Sequence, residues 1–156
     1  MARGRQVTAR RKIPWAVIVF MAWVGLFAIS GVQRLAPASD WMVVNSIKVS
    51  DTVVGVAPAM KVDRVVKQVF DGRWVVDVEK LQPGGRFEQI CSSHGESVYS
   101  PDNDLPANLT LSWWTDPIDC TPREPGRYRV ETVWRVQLNG GLTKDIHVRS
   151  NIFTVT

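Results

Sequence analysis

Hydrophobic and polar positions follow two different periods along the chain. Residues 13–32, IPWAVIVFMAWVGLFAISGV, carry no charged side chain and show no polar stripe. An apolar surface all round predicts a helix in lipid, and at about 1.5 Å per residue the run matches the roughly 30 Å of a bilayer's hydrocarbon. Residues 33–40, QRLAPASD, read as a short linker. From Trp41 the period becomes two: Trp41, Val43, Asn45, Ile47 and Val49 alternate with Met42, Val44, Ser46, Lys48 and Ser50. That alternation predicts a first strand.

The same period recurs to residue 156. A β-branched run over 60–70 ends at Asp71-Gly72, read as a two-residue hairpin turn, and returns as RWVVDVEKL with Trp74, Val76 and Val78 on one face. Gln82-Pro83-Gly84-Gly85 predicts the next turn, 87–91 a short strand, 92–108 a polar irregular segment, and Leu109 to Trp114 a further strand. The clearest alternation is Tyr128, Val130, Thr132, Trp134, Val136 and Leu138, after which Asn139-Gly140-Gly141 turns the chain into a last strand through Ile146 and Val148. Near Asn151 the apolar phase shifts to Phe153 and Val155, which predicts a bulge. About seven strands and no helix beyond residue 32 predict an antiparallel β-sandwich over residues 41–156, preceded by one transmembrane helix.

Charge changes the picture once it is divided along the chain. The formal net charge is +4, which suggests nucleic acid, but five of the 19 basic residues are Arg3, Arg5, Arg10, Arg11 and Lys12, and all 15 acidic residues lie beyond residue 32. The remainder carries 14 basic against 15 acidic residues. A nucleic-acid binder needs its cations clustered on the folded domain, so that class is excluded. A basic cluster before an apolar run is instead a topology signal. It places residues 1–12 in the cytoplasm, 13–32 in the inner membrane and 41–156 in the periplasm or outside. Cleavage is the competing expectation, since Ala36-Pro37-Ala38 has the small-x-small form of a signal-peptide site.

Pro125-Gly126-Arg127-Tyr128-Arg129-Val130 resembles the start of the penultimate strand in immunoglobulin-like sandwiches. The resemblance implies that the Tyr128 hydroxyl pins the preceding corner, that Trp74 serves as the core Trp, and that Val130 stands where antibody domains carry their second Cys. As a whole, a basic tail, one span and a PGRYRVETVW…VRSNIFTV domain is similar to small uncharacterised membrane proteins of phage and prophage genomes. That similarity implies architecture and a viral or bacterial origin, and assigns no catalytic residue.

Candidate chemistry is sparse. Cys91 and Cys120 are the only cysteines and flank the polar segment, so outside the cytoplasm they are expected to form a disulfide. With them, only His94 and His147 are available as histidine ligands, without metal-site spacing, and no cofactor is expected. Ser92-Ser93-His94-Gly95-Glu96-Ser97 holds the residue types of a hydrolase but no nucleophile elbow. Asp102-Asn103-Asp104 lacks the rest of a calcium loop, and Asn108-Leu109-Thr110 is only formally a glycosylation acceptor. Trp113 and Trp114 are the candidate binding surface, because neighbours on a strand face opposite ways and both cannot enter one core; the alternative for the outward ring is burial beneath the 92–108 segment. The function expected is a membrane-anchored module, without catalysis, that binds an envelope protein partner. An envelope hydrolase using the 92–104 segment is the alternative.

Overall fold

The structure, a computed structural model, describes residues 14–138 and 140–156, with side chains at 28–34 outside the description. The basic tail Arg3 to Lys12 therefore lies outside the described residues. The chain divides after Leu35 into two units. The first contains helix α1 (Trp15–Leu35), whose large side chains from Trp15 to Phe27 are exposed. Among the described residues no helix is long and apolar enough to cross a membrane; the described side chains of α1 stop at Phe27.

The second unit is built from two antiparallel sheets, an arrangement consistent with a sandwich. β1 (Met42–Val49) pairs with β2 (Met60–Val66). β3 (Phe70–Leu81), β4 (Phe87–Tyr99), β5 (Gly126–Gln137) and β6 (Thr143–Arg149) form the second sheet in the order β4-β3-β5-β6, and β7 (Phe153–Val155) also pairs with β5. Inward faces supply the core. β5 contributes Tyr128, Val130, Thr132, Trp134 and Val136, and β3 contributes Val76 and Val78, all buried. Met42, Ile47, Val49 and Met60 from the smaller sheet join them in one hydrophobic cluster.

Two phase changes have local causes. In β1 the register slips between Val44 and Ser46, so burial passes from Met42 to Ile47 and Val49 rather than following the odd positions throughout. Between the pairs Tyr128–Phe153 and Glu131–Arg149, two residues of β5 face three of the returning chain, which is the bulge expected near Asn151. The Asn151 side chain is fixed there: its Oδ1 accepts from Val49 N at 2.8 Å and its Nδ2 donates to Val49 O at 2.9 Å.

Four sequence expectations are corrected. Asp71-Gly72 is not a turn: both residues lie inside β3, paired with β4 on one side and β5 on the other. Gly72 is there for space, since a Cβ would sit 2.7 Å from the Tyr99 ring, which stacks on Phe70 at 4.8 Å between centroids. The 92–108 segment is irregular only after Tyr99, because β4 runs on through SSHGESVY as the outer strand of its sheet, where polar side chains face water. Leu109 to Trp114 is not a strand. Leu111–Thr115 forms a short helix, α2, because Leu111, Trp114 and Thr115 at i, i+3 and i+4 bury one side of it. Finally, the core Trp is Trp134, 1% exposed, whereas its direct cross-strand partner Trp74 is only partly buried.

Tyr128 sits as its motif implied. Its buried ring stacks on Phe153, and its hydroxyl donates to Glu124 O at 2.7 Å, closing the corner that precedes β5.

Candidate functional site

Helix α2 carries both tryptophans of the candidate surface, and the backbone around it is tied down on both sides. Leu111 N donates to Pro58 O at 2.8 Å, and Met60 N donates to Leu109 O at 2.9 Å, which fixes the entry to the helix against the start of β2. Beyond the helix, Cys120 is bonded to Cys91 of β4, with Cα atoms 5.6 Å apart. The disulfide therefore joins β4 to the segment after α2 and does not run between β5 and the other sheet. Thr115, fully buried, donates its hydroxyl to Leu111 O at 3.1 Å and accepts from Cys120 N at 3.5 Å.

This clamp gives the two indoles different fates. Trp114 is buried, at 6% exposure, with its Nε1 donating to Met60 O at 3.3 Å. Trp113 is 50% exposed and meets Trp114 edge to face at 4.9 Å between centroids. One ring in and one ring out is the outcome expected of a strand. It arises here from successive positions on one helical turn.

An open groove of about 670 Å³ lies in front of Trp113. Its aromatic lining is Trp74, Tyr99, Trp113 and Trp114, and its polar lining is Ser97, Thr110, Ser112 and Asp116. Trp74 lies across Gly95 of β4, where a Cβ would come within 2.6 Å of the indole. Gly95 therefore seats the Trp74 ring against the outer strand. Behind the groove, Arg64 stacks over Tyr99 at 5.0 Å and lies 6.0 Å from the centroid of Trp114. Burial lowers the Arg64 pKa and raises that of Tyr99, and the attraction between the two groups opposes both shifts.

Polar contacts within the groove leave capacity for a ligand. The hydroxyls of Thr110 and Ser112 bond each other at 2.9 Å and retain further donor and acceptor positions. The Asp116 carboxylate is exposed and has no hydrogen-bond or ion-pair partner among the described residues. The buried Ser93 Oγ also has no hydrogen-bond partner among the described residues.

The other sequence candidates are not brought together. Alternation along β4 turns Ser93 inward, fully buried, and His94 outward, so they lie on opposite faces of the sheet. Glu96 is ion-paired with Arg73. His147 is on β6, opposite Val133 of β5, and Asp102 and Asp104 are exposed in the loop after β4. Among the described residues no group of three His, Cys, Asp or Glu side chains is placed to hold a metal ion. Sequence reasoning missed Trp74, Tyr99, Ser112 and Asp116 as neighbours of Trp113. The available signal was a glycine, Gly95, inside what is now a long strand, since such a glycine marks a close approach. Comparison with known proteins finds no matching family model, no matching curated protein and no matching solved structure.

Proposed function

We propose that the chain is a membrane-anchored binding or assembly module of a bacterial or phage-derived envelope. Residues 13–32 span the inner membrane, the basic tail stays inside, and the β domain lies in the periplasm or outside. The uncharged run, its basic flank and the exposed apolar side chains of α1 support the anchor, since so much contiguous apolar surface requires lipid or a partner. The disulfide supports an oxidising compartment. The two sheets and the Tyr128 corner support an immunoglobulin-like sandwich for the domain.

One observation carries the recognition role: Trp113 is half exposed on a helix that is clamped on both sides, at the wall of an open groove. A rigid, amphipathic ring offered to solvent in a preformed groove binds at little conformational cost. Capture from solubilised membranes by the full-length chain tests this. Partners retained by the wild type are expected to be lost with Trp113→Ala and kept with Ile118→Ala, an exposed apolar control outside the groove. Equal capture by both variants contradicts the reading.

A further inference from the structure

We propose that the Trp113 groove binds the pyranose chain of an uncharged glycan. The inference rests on reading Trp113 as a recognition surface and replaces the expected protein partner with a carbohydrate.

A sugar ring has two kinds of surface. Where its substituents are equatorial, as in β-1,4-linked gluco-configured chains, its faces present only axial C–H groups and its rim presents hydroxyls. The faces suit an indole, whose π-cloud is negative, and the rim suits hydroxyl and carboxylate partners. The groove has both. Trp113 offers an exposed ring, held at a fixed angle by its edge contact with Trp114, and Trp74 offers a second ring seated on Gly95. The same groove is lined by Ser97, Thr110 and Ser112, which bring hydroxyls, and by Asp116, which brings an unpartnered carboxylate.

Asp116 decides between a glycan and the other common occupant of an aromatic groove, an extended proline-rich peptide. Such a peptide presents mainly backbone carbonyls, which are acceptors, and its prolines have no N–H. An ionised carboxylate is acceptor-only and finds little to bond there. A sugar rim is rich in O–H donors, and two neighbouring hydroxyls can donate to the two oxygens of one carboxylate. Among the described residues Asp116 is the only charged one lining the groove, so an anionic polymer is also disfavoured.

The test is a titration of the full chain, held in phospholipid nanodiscs rather than a sugar-headed detergent, with cellotetraose and chitotetraose. Tryptophan fluorescence is the readout. A saturable change is expected with at least one tetrasaccharide, with Kd between about 10 μM and 1 mM. Trp113→Ala is expected to weaken binding roughly tenfold or more, the range of a truncated hot spot. Asp116→Asn, which keeps the shape and removes the charge, is expected to weaken it several-fold by about the share of a charge-assisted hydrogen bond, and Ile118→Ala to leave it unchanged. A cooperative thermal transition certifies each variant as folded. No saturable response up to about 10 mM, at a concentration far above that of any useful site, overturns the proposal, as does equal binding by the Trp113 and Asp116 variants. Saturable binding of a proline-rich peptide in place of either sugar overturns it too. If sugar binding fails while membrane capture still depends on Trp113, the recognition reading stands and the glycan is wrong. If neither depends on Trp113, both fall.

Discussion

Strand β5 and helix α2 each carry a tryptophan pattern, and they put it to opposite use. β5 has β3 on one side and β6 and β7 on the other, with Trp134 sealed in the core beneath. Its neighbours fix every inward side chain, so nothing on that face is left to meet a ligand. α2 is only five residues long, too short to hold itself together, and depends on the strand-like contacts at Pro58 and Met60 and on the Cys91–Cys120 bond. That dependence is what allows Trp113 to face outward without the helix fraying. Packing stabilises the first region, and tethering presents a surface in the second.

Truncating both rings separates the two regions most clearly. Trp134→Ala removes a fully buried indole and is expected to lower unfolding free energy by about 3–5 kcal/mol. Trp113→Ala is expected to cost less than about 1 kcal/mol, as a half-exposed ring shares little of its surface with the core. Urea denaturation of the two variants measures the difference. Equal losses would mean that Trp113 is structural packing.

Next in size is the tether. Replacing Cys91 and Cys120 together by Ser opens a loop whose ends are 29 residues apart. It is expected to lower stability by about 3–4 kcal/mol through the unfolded chain's added freedom. Hydrogen exchange should then rise over 109–120 well before it rises in β5. Uniform loss of protection across both regions would contradict the division between them. A smaller effect is expected from Gly95→Ala: the new methyl group meets the Trp74 indole at 2.6 Å, so the ring must move, at about 1–3 kcal/mol. The near-ultraviolet circular dichroism of the indoles reports that movement.

Acid should act least, and only on the surface. Hydrogen bonds from Arg135 hold the Asp145 carboxyl below its ordinary range, and Lys80 does the same for Glu124. A depressed folded-state pKa means that the unfolded chain takes up protons first as pH falls. The stability these pairs contribute is therefore complete above the ordinary carboxylate pKa of about 4 and is lost progressively below it. Thermal midpoints are expected to be equal at pH 7 and 5.5 and lower at pH 3. Arg135→Ala is expected to reduce the acid-dependent part, and no change in that part would show that the pair is not responsible.

Legibility in the sequence follows the same division. In β5 the alternation from Tyr128 to Val136 is visible because one face is buried and the other is not, and the core confirms each of those positions. Gln82 to Gly85 is likewise a turn. β4 carries polar residues on both faces after Cys91, so only its pairing with β3 reveals it as a strand, and pairing is not written in its own residues. Leu109 to Trp114 satisfies period two and a helical turn equally, and the disulfide and backbone ties decide for the helix. Asp-Gly is a turn signal only when the glycine is chosen for its backbone; at Gly72 it is chosen for the absence of a side chain. Of the groove, Trp113 and Trp114 were visible as a pair, while Trp74, Tyr99 and Asp116 reach it only through the fold.

The proposed topology puts the domain across a membrane from the basic tail. A reporter active only outside the cytoplasm, fused through a flexible linker after Thr156, tests this directly in whole cells. Activity is expected that requires residues 13–32 and that fractionates with the membrane. Activity confined to a cytoplasmic reporter at the same position would contradict it.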